Sequence, residues 1–358
     1  MKKIDLYIIK KFFGTFFFSL ALILMVVIVF DISEKIDDFL EHELKITTII
    51  KEYYLNFIPY FGNLFSPLFI FISVIFFTSR MANNTEIIAI LNSGMSFYRM
   101  LRPFLLSSLI LAILSFIFGN FIIPSSNKER IEFENKYLRY KNKKNKKDIH
   151  IQIRKDQYIY MQSFNPKRNI GYKFTIEKFE KNKLTTKLKS EYIQYDSISN
   201  SWKANKYQIR KFEKNGEIVS NKSLLDTVIN LHPKDFIQQS ALVETMNFFE
   251  LNKYIKQEKI KGSEQIINHQ IEKYKRLSFP FSTIILTLIA VSISSNKVRG
   301  GIAFHLGLGM LIAFSYILFM QITTTFAINS NLSPLLAVWS PNIFFIFLSL
   351  ILIRYTPK

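Results

Sequence analysis

The sequence predicts an α+β membrane protein, with six transmembrane helices and one β-rich domain inserted between the third and the fourth. Three observations carry this. Long runs hold no charge at all: Phe12–Phe30 and Phe57–Phe77 contain no Asp, Glu, Lys or Arg. About 18 such residues suffice to cross a hydrocarbon core of roughly 30 Å, and these runs are apolar on every side, which a soluble helix is not. Charges crowd elsewhere, with 33 Lys+Arg against 18 Asp+Glu in residues 125–276. That charged region reads as short β segments separated by turn signals.

The spans fall at about 12–32, 55–78, 99–123, 270–294, 302–326 and 334–353. Lys2, Lys3, Lys10 and Lys11 precede the first run, but no small-residue cleavage site follows it, so it is expected to be retained as a span rather than removed as a signal. Pro59 and Pro67 in span two and Pro280 in span four lack an N–H and loosen their helices. Lys/Arg near the spans set orientation. With six spans, the N-terminal lysines, Arg80, Arg99, Arg102, Lys297, Arg299, Arg354 and Lys358 all fall on one side, whereas Asp31–Glu43 and Asn329–Ser333 are acidic or uncharged. Both termini are therefore expected in the cytoplasm and the inserted domain on the far side.

A polar helix over about Asn127–Tyr140 extends span three beyond Pro124 and ends in the Lys141–Lys147 cluster. Six strands are expected at Ile149–Ile153, Gln157–Met161, Tyr172–Phe179, Glu191–Asp196, Lys206–Phe212 and Leu224–Ile229, with turns at Asn165-Pro166, Lys181-Asn182, Ser199-Asn200 and Asn215-Gly216. That spacing suits a sandwich or jelly roll. A returning helix starts at Asn247, with Glu250 three residues on, and stops at Gly262. The domain expectation is 1–124 for spans one to three, 125–262 for the β domain with its flanking helices, and 263–358 for spans four to six.

The net charge of +20 raises nucleic acid as a partner, but an anionic lipid surface or a Lys- and Asn-rich composition accounts for it equally; no nucleic-acid partner is expected. Cysteine is absent, which removes disulfides and thiol chemistry. His42, His150, His232, His269 and His305 form no pair at metal-ligand spacing, and neither GxSxG nor GxxxxGK[ST] occurs. No catalytic residue, metal or cofactor is expected, and any ATP used is hydrolysed by another chain. Spans two, three, five and six show no ionisable residue within their cores, which speaks against an ion-coupled carrier and for an apolar cargo.

The loop after span two, Asn83 to Ser96, is the most informative stretch. Asn83 or Asn84 can cap a short helix, Glu86 suits its N-terminus, and Gly94 ends it. An isolated helix at about 84–93 is a lever that a cytoplasmic motor could move, or else a plain connector. These residues also carry a resemblance. Ile4-Asp5-Leu6-Tyr7-Ile8, the span-two prolines, Asn84-Thr85-Glu86 through Gly94-Met95-Ser96, Pro124, Met246…Glu250-Leu251, Arg276…Pro280-Phe281 and Trp339-Ser340-Pro341-Asn342 resemble, in order, the LptF/LptG lipopolysaccharide export permeases. The start leans towards LptG.

The resemblance implies a periplasmic β-jellyroll and a permease subunit, not an enzyme, that extracts lipopolysaccharide from the bacterial inner membrane. Implied partners are a cytoplasmic ABC ATPase dimer, a second LptF/LptG-type permease and periplasmic LptC/LptA-like jellyroll proteins. ATPase coupling would fall to Asn84, Thr85, Glu86, Ile87, Ala89, Ile90, Leu91 and Gly94. The substrate path would run past Val27, Phe30, Lys35, Phe61, Phe65, Phe304, Leu308 and Leu311, between span one of one permease and span five of the other. Two departures stand out: Leu91 replaces a frequent Arg, and Lys35 is a lone cation among Asp31, Glu34, Asp37 and Asp38. The alternative function is an envelope scaffold whose β domain binds other proteins.

Overall fold

The computed structural model describes residues 3–138, 147–154, 156–165, 168–180, 183–197, 199, 201–213, 216–227, 233, 239–260, 265–330 and 332–356. The Lys141–Lys146 part of the basic cluster, His232 and the Gly262 stop lie outside these residues. Two compact units are present, one made of 1–139, 244–250 and 267–358 and the other of 140–243 and 251–266.

Among the described residues of the first unit, six helices are long and apolar enough to cross a membrane. They are α1 (Lys3–Glu41), α2 (Ile46–Asn83), α4 (Phe97–Tyr137), α7 (Ile266–Ser294), α8 (Gly301–Asn329) and α9 (Pro334–Tyr355). A short α3 (Glu86–Asn92) joins α2 to α4, and α5 (Gln239–Glu244) and α6 (Phe248–Ile260) precede α7. With 39 residues α1 is about 58 Å long at 1.5 Å per residue, almost twice a bilayer core. It buries a stripe of Asp5, Ile8, Phe12 and Phe16, spaced three or four apart as one helix face requires. Ile8, Phe12 and Phe16 share a core with Ile70, Phe71, Val74 and Ile75 of α2 and Ile285, Leu286 and Ile289 of α7.

Polar side chains inside this bundle pair across helices, as a medium without water demands. Ser19 and Ser73 link α1 to α2 at 2.8 Å, and the Ser115 hydroxyl of α4 donates to Asn63 Oδ1 of α2 at 2.7 Å. The Tyr316 hydroxyl of α8 donates to Asn342 Oδ1 of α9 at 2.8 Å, and Asn342 Nδ2 donates to the Ser278 carbonyl of α7 at 3.0 Å. One buried amide thus ties three helices together. α8 approaches α2 so closely that a Cβ on Gly309 would collide with Ile75 Cδ1.

α4 runs straight through Pro124 rather than ending there. A proline ring clashes with the carbonyl four residues earlier; here the turns over Phe118–Ile122 widen to π-type geometry just before it, which makes room. The Asn247–Glu250 cap forms as expected. The Glu250 amide donates to Asn247 Oδ1 at 3.0 Å, and the Asn247 amide donates to Glu250 Oε2 at 2.9 Å.

The second unit holds one six-stranded antiparallel sheet in sequential order. Its strands are β1 (Lys147–Arg154), β2 (Gln157–Asn165), β3 (Ile170–Glu180), β4 (Lys183–Asp196), β5 (Ser201–Glu213) and β6 (Gly216–Thr227). All six expected strands are present. β4 to β6 start 8, 5 and 8 residues earlier than expected, because lysine-rich segments mask the alternation there. One sheet face buries Ile159, Met161, Phe174, Ile176, Leu188, Ile193, Trp202 and Ala204. Six apolar spans with an antiparallel sheet inserted between the third and fourth make this an α+β membrane protein, as the sequence predicts.

Candidate coupling site and substrate path

The segment after α2 turns sharply at Thr85, which takes a left-handed φ of 62° and occupies the position before α3; neither asparagine caps the helix. Asn84 instead points its amide at Glu86 Oε1, 3.4 Å away. Gly94 ends the segment with φ +83°, a conformation glycine adopts without steric cost. α3 is short, so tertiary packing rather than propensity holds it. Ile87 supplies that packing: it is 2% exposed within the hydrophobic core of the helix bundle, with Ile90 and Leu91 half-buried against the same cluster. Those three anchor the helix. Asn84, Thr85, Ala89 and Gly94 stay on the surface, and beside them Ile88 is 47% exposed. Ile88 is absent from the residues the sequence singled out, because spacing alone does not say which of two adjacent isoleucines faces in.

Glu86 is not free. Tyr7 of α1 donates its hydroxyl to Glu86 Oε2 at 2.9 Å. Two residues earlier on α1, Asp5 makes a two-pronged ion pair with Arg99 of α4, whose Nη1 and Nη2 donate at 2.9 and 2.7 Å to the two carboxylate oxygens. Two-pronged pairs fix orientation as well as distance. The same end of α1 is therefore tied to the head of α3 and to the start of α4. Tyr7 and Asp5 belong to the opening motif; their partners lie 79 and 94 residues away, beyond the reach of any local pattern.

A second polar contact is fully buried. His305 of α8 is enclosed, and its Nδ1 lies 2.7 Å from Ser79 Oγ of α2, while Nε2 has no hydrogen-bond partner among the described residues. α8 begins at Gly301, whose φ of +59° favours glycine. The absence of ionisable groups expected for span five thus has an exception near its start.

The residues expected along a substrate path divide into two groups. Val27 and Phe61 pack against one aromatic cluster of Phe39, Tyr53, Tyr54, Phe57 and Phe133. Phe61 stacks on Phe57 with ring centres 4.1 Å apart and is followed by Phe65 at 6.2 Å. Lys35 belongs there too, but it is already paired: its Nζ contacts Asp31 Oδ1 and the Tyr53 hydroxyl and lies 4.7 Å from the Tyr53 ring centre. Asp31 also accepts from the Tyr54 hydroxyl at 3.1 Å. Phe30 points away, exposed. Phe304, Leu308 and Leu311 stand at i, i+4 and i+7 on an uncovered face of α8 and do not join this cluster. In α1 and α8 only 11% and 22% of the most apolar stretch is buried, against 67% in α7. Spans one and five are thus the most open to whatever surrounds the bundle.

A family model for the lipopolysaccharide export system permease LptF/LptG matches residues 6–355, nearly the entire chain. The chain belongs to the LptF/LptG family. This permease is accordingly a multi-pass protein of the inner membrane and a transport component. No curated protein matches it in a direct sequence comparison. Membership gives the motif residues a shared context, and the geometry shows what each one holds. Asp5 and Tyr7 brace α1, Glu250 caps α6, and Asn342 joins α7, α8 and α9. Arg276 Nη1 donates to the Met246 carbonyl at 2.7 Å, and Phe281 lies 5.2 Å from the Trp339 ring.

Proposed function

We propose that this chain is one of a pair of permease subunits that lift lipopolysaccharide out of the inner membrane, driven by a separate cytoplasmic ATPase dimer. Both termini and α3 face the cytoplasm and the β domain faces the periplasm, where it hands lipid to LptC/LptA-like jellyroll proteins. Residues 1–124 and 263–358 form the membrane part and 125–262 the periplasmic part. The observation that carries the reading is the linkage from Glu86 through Tyr7 to α1, reinforced by Asp5–Arg99. A motor that displaces α3 displaces the span with the least buried apolar surface. That is how cytoplasmic domain motion would reach a lipid held between α1 of one permease and α8 of its partner, with Phe30, Leu308 and Leu311 offering surface to acyl chains. Exchange of one apolar environment for another keeps the transfer of those chains close to balanced.

The ATPase-facing surface is assigned to Asn84, Thr85, Glu86, Ile88 and Ala89, with Ile87, Ile90, Leu91 and Gly94 setting its shape. Glu86→Lys reverses the charge at that surface and breaks the Tyr7 bond. In co-purified complexes the substitution is expected to reduce ATPase recovery at least severalfold and to abolish ATP-dependent lipid release. Unchanged ATPase recovery and release with Glu86→Lys would remove α3 as the ATPase-facing surface, whereas no ATP-dependent release even from the unsubstituted complex would favour a scaffold over a motor-driven permease.

A further inference from the structure

The sheet has a second face, and it is built differently from the apolar one. Along β3, β4 and β5 the two-residue spacing of buried positions is broken along one line across the sheet. Gly171 and Phe174, Ser190 and Ile193, and Ala204 and Tyr207 are all buried, so buried positions there lie three apart instead of two, with Tyr172 and Lys173 exposed on β3, Glu191 on β4 and Lys206 on β5. Strand register does not shift there: Tyr172 pairs with Tyr192 and Phe174 with Ser190, and Ser190 pairs with Tyr207 and Tyr192 with Asn205. The distortion is instead absorbed by Lys173 and Lys206, which take left-handed φ values of 48° and 49° on the strands either side of Glu191. Carbonyls are kept satisfied by Ser190, whose hydroxyl lies 2.8 Å from the Tyr192 oxygen and 2.7 Å from the Asn205 oxygen. Lysine is a poor choice for this backbone, since glycine adopts it without strain. Strained positions that a sequence fills with an unsuited residue mark places where the side chain itself is needed.

Both lysines line an open cavity of about 710 Å³ on this polar face, within the roughly 300–1,000 Å³ typical of small-ligand sites. Tyr158 and Tyr160 also line it, with the His150 ring centre 4.8 Å from that of Tyr160. The Tyr160 hydroxyl donates to Asp148 Oδ1 at 2.8 Å, and that bond holds the phenol above its ordinary pKa. Lys187 is paired with Glu177. The Lys173, Lys189 and Lys206 side chains have no ion pair or hydrogen bond among the described residues, and Glu191 is the cavity-lining acid not already paired with a lysine. Flat aromatic faces beside unpaired ammonium groups suit a ring that is apolar on one face and anionic at its edge. A peptide strand would add at β1 or β6, the sheet edges, whereas this cavity lies across the middle strands.

We infer that the polar face of the β sheet binds an anionic saccharide, the phosphorylated sugar portion of the cargo lipid, through Lys173, Lys189 and Lys206 beside Tyr158 and Tyr160. The inference rests on the permease reading for the identity of the sugar. It assigns the two faces of one sheet different duties, the polar one taking the headgroup.

The experiment titrates the full-length protein in detergent with deacylated lipopolysaccharide, an anionic oligosaccharide without acyl chains, and with the same material after phosphatase treatment. Binding of the phosphorylated form is expected to weaken as salt rises. The double substitution Lys173→Gly and Lys206→Gly is expected to weaken it roughly tenfold, the size of losing two charge-assisted contacts at a partly exposed site. Because glycine relieves the backbone, the thermal midpoint of that variant should hold or rise, so lost binding is not lost folding; Lys189→Gln, on regular backbone, should weaken binding as well. Equal binding by the double variant, or equal binding of the dephosphorylated oligosaccharide, overturns the inference. ATP-driven lipid release from proteoliposomes is followed in parallel: release without oligosaccharide binding removes the site and leaves the permease, and binding without release does the reverse.

Discussion

Tyr7→Phe removes one oxygen and with it the bond between α1 and the head of α3. The hydroxyl donates to a carboxylate at 2.9 Å but sits at a half-open surface, with Tyr7 41% exposed. Hydrogen bonds to charged groups contribute about 1.5–3 kcal/mol when buried, and exposure reduces such contacts to about 0.5–1 kcal/mol. The apolar core of α1 is untouched, so the thermal midpoint should move little. The change falls on transmission: about 0.5–1 kcal/mol of lost linkage corresponds to a roughly two- to fivefold drop in lipid released per ATP hydrolysed. The assay is a reconstituted complex in proteoliposomes with phosphate production and lipid transfer followed together. Glu86→Gln should cause a loss of similar kind, and the double variant should be no worse than the more affected single one, since both remove the same contact. Undiminished lipid release per ATP in Tyr7→Phe, or fully additive losses in the pair, would mean that α3 reaches the bundle by another route.

Two further outcomes follow from the buried polar network and from the charges near α7. Asn342→Ala strands the Tyr316 hydroxyl and the Ser278 carbonyl, and should cost about 1–2 kcal/mol in detergent unfolding, with Tyr316→Phe adding little on top. Glu244 is held above the ordinary carboxylate range by burial and then by Glu272, with Arg130 and Arg276 opposing. A carboxyl whose pKa is raised on folding contributes stability below its unfolded value of about 4.3, and that contribution is lost as pH rises through the folded value. Glu244→Gln should therefore raise the thermal midpoint near pH 7.5 and leave it unchanged near pH 4, as read by differential scanning fluorimetry.

What the sequence revealed is what local patterns encode. The uncharged runs are spans because a bilayer selects for length and apolarity alone, and the Asn247–Glu250 cap is legible because both partners lie within one turn. Strand positions follow from alternation, which is why β1 to β3 start close to where they were expected and lysine-rich β4 to β6 do not. Contacts across the fold were not legible. Glu86 reads as a free surface carboxylate until Tyr7, 79 residues earlier, is placed against it. Lys35 reads as a lone cation, though Asp31 and Tyr53 already hold it. His305 and Ser79 meet across 226 residues. The left-handed backbone at Lys173 and Lys206 carries no sequence signal at all, since lysine is not the residue that conformation favours.

Photocrosslinking tests the permease account at its root. A photoreactive residue at Phe30, 72% exposed on α1, and another at Leu311, 66% exposed on α8, are introduced into the assembled complex in membranes containing lipopolysaccharide, with buried Ile289 as control. Crosslinks to lipopolysaccharide at 30 and 311 that fade when ATP is supplied, and none at 289, are what the account predicts. Crosslinks to phospholipid alone at both exposed positions, unchanged by ATP, would show that these faces meet only the bilayer and that the lipid path lies elsewhere.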